Sequence, residues 1–134
     1  MNFNDALGAL VAELTPQPWS YTAADGTTLT IKPHGLPAAK DQAEVVFQIG
    51  GLTEWLTTPK VQALVDAVTE GESWSGLVLG EGVEVLAAEG GLIVSVHGGE
   101  ESVSVGLPAS QRMPLVSAIR RALDVARGWE DDSR

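Results

Sequence analysis

The sequence contains no cysteine, few basic residues and no long apolar run. Without cysteine the chain can form no disulfide, no thiolate zinc site and no cysteine nucleophile. The formal net charge is −10, from 18 acidic and 8 basic residues, so a phosphate backbone would be repelled. No apolar run approaches the ~18 residues that a membrane span requires. We therefore expect neither a nucleic-acid partner nor a membrane partner.

Length and composition predict one globular domain. The chain has 134 residues, of which 44% are hydrophobic, and this size is common for a single hydrophobic core. We expect the domain to cover residues 1–129, followed by an acidic tail over 130–134. The N-terminus carries Asp5 and no basic run, so it does not resemble a signal peptide. Together with the missing disulfides, this predicts a cytoplasmic protein.

Apolar residues at helical spacing predict three helices. The first covers residues 4–15, ahead of Pro16 and Pro18. The second begins at Thr58-Pro59, and the third runs from about residue 115 to a stop at Gly128. The apolar stripes of the three helices are Leu7, Leu10, Val11 and Leu14; Val61, Leu64, Val65 and Val68; and Leu115, Ile119, Ala122, Leu123 and Ala126.

Alternating apolar and polar residues predict the strands. A hairpin turns at Asp25-Gly26, and a strand over 43–49 ends at Gly50-Gly51. Leu52, Trp55 and Leu56 are interpreted as a short turn before the second helix. Glycine-rich turns then separate the strands of an antiparallel meander. These strands carry Val83, Val85 and Ala87; Leu92, Val94 and Val96; and Val103, Val105 and Leu107, with a further short strand over 77–79.

The fold expected from these elements is α+β, with one curved antiparallel sheet of about six or seven strands and three helices. The order is helix, three strands, helix, three or four strands, helix. This order resembles that of the small acidic secretion-chaperone-like fold, although the resemblance includes no residue motif. The resemblance implies helices flanking a curved sheet, and pairs of subunits that wrap an extended client.

No residue pattern in the chain matches a known reactive or cofactor-binding arrangement. Neither His34 nor His97 has a second histidine at i+2, i+3 or i+4, and the chain has no cysteine. Ser73 and Ser75 lack the spacing of a nucleophile elbow, and Gly80-Glu81-Gly82 leads into a strand instead of a helix. We therefore predict no catalytic residue, no metal site and no cofactor, and we do not expect an enzyme.

The charge distribution is the strongest functional signal. No lysine or arginine occurs between Lys60 and Arg112, although eight acidic residues lie there. These acids serve either solubility or the capture of a basic partner. The candidate contact residues are the tryptophans on either side of the second helix and five of the acids: Trp55, Trp74, Glu81, Glu84, Glu89, Glu100 and Glu101.

Three apolar residues fall on the face of the strands that the alternation leaves outside: Val46, Leu86 and Ile93. Either a helix covers them, or they form an apolar patch for a partner or for a second copy of the chain.

Two functional hypotheses follow. In the first, the chain is a non-enzymatic protein-interaction domain, of the chaperone-like, antitoxin-like or regulatory-adaptor kind. Its acidic sheet face would bind a basic or extended protein partner, with a homodimer as a further option. In the second, the chain is a small-ligand-binding accessory domain. Its pocket would lie between sheet and helices, with Trp55, Trp74 or His97 at the mouth.

Overall fold

The computed structural model describes residues 18–34 and 43–131, which form eight strands and two α-helices. The predicted helix over 4–15 lies outside these residues. The strands are β1 (Trp19–Thr22), β2 (Thr28–His34), β3 (Glu44–Ile49), β4 (Leu52–Thr57), β5 (Trp74–Ser75), β6 (Gly82–Ala88), β7 (Gly91–Gly98) and β8 (Glu101–Pro108). The helices are α1 (Thr58–Thr69) and α2 (Arg112–Asp131), and a 3₁₀ turn (Ala109–Gln111) precedes α2.

The prediction of one curved sheet of six or seven strands is wrong. The eight strands form two four-stranded antiparallel sheets, in the orders β1-β2-β3-β4 and β5-β6-β7-β8. The first sheet ends because α1 follows β4 and carries the chain away. When the chain becomes extended again, β5 pairs with β6 and begins a new sheet. The expected total of three helices is corrected to two within the described residues.

The sequence-based interpretation missed strand β4. Gly50, with φ +58°, and Gly51 form a tight turn after which Leu52 pairs with Ile49. The pattern was hard to recognise because Glu54 lies opposite Phe47, at an inward position where an apolar residue is expected. Trp55, in contrast, is 48% exposed. The predicted short turn is therefore a six-residue strand at the edge of the first sheet.

The hairpin at Asp25-Gly26 and the three-stranded meander are confirmed. In the meander, Val83 pairs with Val96 and Val94 with Val105, so their side chains share the inner face. The predicted strand over 77–79 is instead one arm and the tip of the β5–β6 hairpin, where an isolated bridge joins Val78 to Glu81.

Both described helices pack against the sheets through apolar faces. The predicted stripe of α1 is buried, although its N-cap is Thr57, one residue earlier than expected. Helix α2 does not stop at Gly128 but continues to Asp131, because a single glycine inside a helix costs only about 1 kcal/mol. Neither described helix combines the length and the apolar character needed to cross a bilayer.

One buried cluster joins the two sheets and both helices. Phe47, Val94 and Ile119 are each at most 1% exposed, and they belong to the first sheet, the second sheet and α2 respectively. Strand β4 lies against β6 and β7, so the two sheets meet directly. The described residues thus share a single hydrophobic core.

Candidate functional site

The β5–β6 hairpin forms one corner of the second sheet. The Trp74–Val85 pair and the isolated Val78–Glu81 bridge keep the same register, although residues 76 and 77 lie outside the strand. Val78 and Glu81 exchange two backbone hydrogen bonds, with N···O distances of 2.8 and 3.1 Å. The loop therefore contains only two residues, Leu79 and Gly80. Their φ angles of +54° and +81° are those of a type I′ turn, whose hand matches the twist of the strands.

Leu79 is held in an unfavourable conformation and gains no burial from it. It is the only described residue other than glycine with a positive φ, and it is 99% exposed. The left-handed conformation costs a residue with a Cβ atom about 1–2 kcal/mol, and type I′ turns normally carry asparagine, aspartate or glycine at this position. Strain of this kind often marks a functional surface.

Other apolar residues extend the exposed surface around this tip. Val78 is 58% exposed, Trp55 48% and Leu77 37%. One cleft of about 380 Å³ lies between the hairpin and β4, and Trp55, Val78 and Leu79 are among its lining residues. A second cleft, of about 400 Å³, lies between the hairpin and α1, and Leu77 and Val78 help to line it. Both clefts include Lys60 in the first turn of α1.

Carboxylates surround the apolar tip. The β7–β8 turn lies at the same end of the sheet as the hairpin, because Gly82 pairs with His97 and Gly98 with Glu101. A Cβ atom on Gly98 would lie 4.0 Å from Glu54 Oε1, and one on Gly99 would lie 3.6 Å from Glu81 Oε1. The apolar residues and the acids together form the hairpin end: Trp55, Leu77, Val78 and Leu79 with Glu54, Glu81, Glu100 and Glu101.

Glu54 is partly buried at the hairpin end and lies close enough to Glu81 for their charges to interact. Partial burial raises the pKa of this carboxyl above its usual value, and the nearby charge of Glu81 raises it further. Within residues 18–34 and 43–131, neither carboxylate has a salt-bridge partner. Lys60 lines the same cleft as both carboxylates.

His97 and Glu84 form a pair on the outer face of the second sheet. His97 Nε2 lies 3.4 Å from Glu84 Oε1, and both side chains are 26% exposed. The contact lacks hydrogen-bond geometry, so the buried Nε2 atom has no hydrogen-bond partner. Neither residue lines the clefts beside the hairpin. The part of the chain that the structure describes contains no group of three or more residues arranged to hold a metal ion.

The structure brings together some of the residues singled out from the sequence. Glu81, Glu100 and Glu101 lie at the hairpin end together with Trp55. Glu84 lies beside it on the outer face, whereas Glu89 occupies the β6–β7 turn at the opposite end of the sheet.

Trp74 is positioned differently from Trp55. Its indole ring lies over Gly76, where a Cβ atom would come within 2.3 Å of the ring, and the residue is partly buried against the core. Its main role in the described structure is therefore to anchor the hairpin. Of the three apolar residues expected outside, Val46 is buried, while Leu86 and Ile93 are 41% and 37% exposed.

Sequence reasoning missed Leu77, Val78 and Leu79 as surface residues. A consecutive Leu-Val-Leu run is typical of a buried strand, and the usual asparagine or aspartate is absent before Gly80. The signal that could have identified them is Gly80-Glu81-Gly82, whose two glycines both adopt positive φ angles, of +81° and +140°. Glu54 was missed because β4 was missed.

A further cleft, of about 560 Å³, lies between the first sheet and α2. Apolar residues line most of it, including Trp19, Ile31 and Ala122, while Arg121 and Asp124 contribute charge. Trp55, Trp74 and His97, expected at the mouth of a pocket between sheet and helices, do not line this cleft.

Comparison of the chain with protein-family models, curated proteins and solved structures gave no match. The functional proposal therefore depends on the geometry of the chain itself.

Proposed function

We propose that the chain is a protein-interaction domain without catalytic activity, and that the hairpin end is its docking surface for a basic protein partner. The observation that carries this proposal is the conformation of Leu79, which combines a positive φ with 99% exposure. An exposed leucine held against its conformational preference gives the isolated chain no evident stability. Burial against a partner would remove this apolar side chain from water.

The arrangement of polar and apolar groups matches the anatomy of protein interfaces. Such interfaces have an apolar centre, often containing tryptophan, inside a polar rim. Here Leu79 and Val78 form the centre with Trp55 beside them, and carboxylates form the rim. The acids steer and orient a positively charged partner, while the apolar tip supplies most of the affinity. The net charge of −10 also favours a positively charged partner.

Two features of the sequence support a cytoplasmic location and a partner other than nucleic acid. The absence of cysteine suits a reducing compartment, which supports a cytoplasmic location. The strong negative charge disfavours a nucleic-acid partner.

An NMR titration with a defined peptide tests the docking surface. The probe is a synthetic peptide of alternating lysine and leucine, added to the ¹⁵N-labelled chain. We expect the largest shift changes in the Leu77–Gly82 backbone, the Trp55 indole N–H and the β7–β8 turn. Raising the ionic strength from about 0.01 M to about 0.15 M shortens the Debye length from about 30 Å to about 8 Å, so the affinity should fall.

Matched peptides and variants separate the contribution of charge to binding from the contribution of the apolar contact. A glutamate–leucine peptide tests the charge, and a lysine–serine peptide tests the apolar contact. Leu79→Asn should weaken binding at least about tenfold, whereas Leu86→Asn, on the outer face of the same sheet, should leave it nearly unchanged. Equal binding of the glutamate peptide, or shifts confined to the outer face, would refute the proposal.

A second candidate function is small-ligand binding in the cleft between the first sheet and α2. The observation that favours it is a cleft of about 560 Å³ with a mainly apolar lining and one arginine. This volume is in the range of small-molecule sites. In a separate titration with benzoate, a small aromatic carboxylate, shift changes centred on Trp19 and Arg121 would support this cleft.

A further inference from the structure

Within the part of the chain that the structure describes, strand β8 is a long edge of the second sheet that pairs with no strand on its outer side. The other sheet edges are short or covered: β1 has four residues, β5 has two, and β4 lies against β6 and β7. Strand β8 has eight residues and pairs only with β7. Between Glu101 and Pro108 it carries no charge and no proline. Proteins usually protect such an edge, because its free backbone groups can pair with another strand.

The backbone groups that face this open edge can be identified. In an antiparallel pair, residues alternate between hydrogen-bonded and non-hydrogen-bonded positions. Ala109 N–H donates to Gly90 O over 2.9 Å, so this pair is of the hydrogen-bonded kind. Counting back along the ladder, Val103, Val105 and Leu107 bond to β7. The N–H and C=O groups of Ser102, Ser104 and Gly106 therefore point away from the sheet.

The position of Pro108 agrees with this assignment. By the same alternation, the nitrogen of residue 108 faces the open edge, where proline loses no ladder bond. Gly106 lies opposite Ile93 on the outer face of the second sheet, where a Cβ atom would meet nothing within 4 Å. Within the described residues, the edge therefore offers three alternate residues, Ser102, Ser104 and Gly106, whose outward donors and acceptors pair with no other strand.

We propose that β8 pairs with β8 of a second copy of this chain, in antiparallel orientation, to form a continuous eight-stranded sheet. A two-fold axis at Ser104 pairs this residue with its counterpart and pairs Ser102 with Gly106 of the other copy. These three pairs use every outward N–H and C=O group of Ser102, Ser104 and Gly106, giving six interchain hydrogen bonds. Shifting the register by two residues in either direction leaves fewer complete pairs.

Side chains and charges favour the same arrangement. The two-fold register places Val103 opposite Val105 of the other copy, which extends the apolar inner face across the junction. The only charged residue of the strand is Glu101, and it lies opposite Leu107 of the other copy. Antiparallel pairing thus separates the acidic turns at Glu100, whereas parallel pairing would bring them together. The hairpin ends of the two copies point in opposite directions, so the proposal is independent of the docking function.

Sedimentation velocity over a range of protein concentrations tests this dimer. We expect the unaltered chain to dimerise. Ser104→Pro removes an outward donor without breaking a backbone bond to β7, so it should weaken the dimer at least about tenfold. It also removes the 2.7 Å hydrogen bond between the Ser104 and Ser95 hydroxyls. The matched control Ser104→Ala loses the same hydroxyl contact but keeps the N–H, so it should dimerise like the unaltered chain. A chain that is monomeric at all concentrations, or a proline variant that dimerises normally, overturns the proposal.

Hydrogen exchange of the unaltered chain gives a readout that does not depend on the folding of any variant. In the dimer, the amides of Ser102, Ser104 and Gly106 should be protected, and this protection should fade on dilution. The amides of Val103, Val105 and Leu107 should be protected at every concentration. Fast exchange of the first group at high concentration, or protection that appears only on addition of the lysine–leucine peptide, would contradict pairing with a second copy.

Discussion

The two four-stranded sheets contain similar tight hairpins but differ in how their turns are stabilised. In the first sheet, Asp25 Oδ1 accepts a 2.9 Å hydrogen bond from Thr27 N–H, and this bond lowers the pKa of Asp25. Glycine occupies the positive-φ position there, at Gly26. In the second sheet, Leu79 has a positive φ and no burial. One turn follows the local preferences of its residues, and the other departs from them at an exposed apolar tip.

The two sheets also differ in how much apolar surface and how much unpaired edge they expose. The outer face of the first sheet pairs Lys32 with Val46 and Thr30 with Gln48, and both edges are short or covered. The second sheet exposes Leu86, Ile93 and the tip of the β5–β6 hairpin, and among the described residues its edge strand β8 pairs only with β7. The first sheet contributes Trp55 and Glu54 of β4 to the hairpin end, so most but not all of the exposed apolar surface lies on the second sheet.

The largest expected loss of stability comes from substituting a glycine of the second hairpin. A Cβ atom on Gly82 would lie 2.6 Å from Gly76 O at a φ of +140°, so Gly82→Ala should destabilise the fold by about 3 kcal/mol. Gly26→Ala is the matched control, with a φ of +91° and nothing within 4 Å, and should cost about 1 kcal/mol. Urea denaturation measures both. Equal losses would mean that the second hairpin is no more constrained than the first.

A smaller effect concerns the pH dependence contributed by Glu54. Because its pKa is raised in the folded state, ionised Glu54 destabilises the fold, and this penalty disappears as the pH falls through the folded-state pKa. Glu54→Gln should therefore stabilise the chain at pH 7, by less than about 1 kcal/mol because solvent screens a partly buried group. The gain should shrink towards about pH 4.

Urea denaturation at both pH values measures this gain. Glu89→Gln, at the opposite end of the second sheet, removes one negative charge away from Glu54 and corrects for the change in net charge. A gain of the same size at both pH values, or a loss of stability at neutral pH, would contradict the account of Glu54.

Sequence reasoning succeeded where periodicity and turn chemistry agreed. The Asp25-Gly26 hairpin, the apolar stripe of α1 and the three-stranded meander all follow such patterns. Strand β4 was missed because Glu54 occupies an inward position. The division into two sheets could not be predicted, because alternation identifies strands but does not specify which strands pair.

The candidate site was predicted only in part, for a related reason. Charge is visible in the sequence, so Glu81, Glu100 and Glu101 could be singled out, and Trp55 with them. The apolar tip could not be recognised, because Leu79 departs from the residue preferences of its turn. Sequence rules describe what stabilises a fold, and they fail at positions that the fold itself does not require.

The most direct test of this account is the free energy of unfolding of Leu79→Asn. Asparagine tolerates the left-handed conformation better than leucine, and the leucine side chain is fully exposed. We predict that the substitution raises the free energy of unfolding by about 0.5 kcal/mol. A decrease of more than about 1 kcal/mol would show that Leu79 supports the fold, and would contradict its assignment to an outside contact.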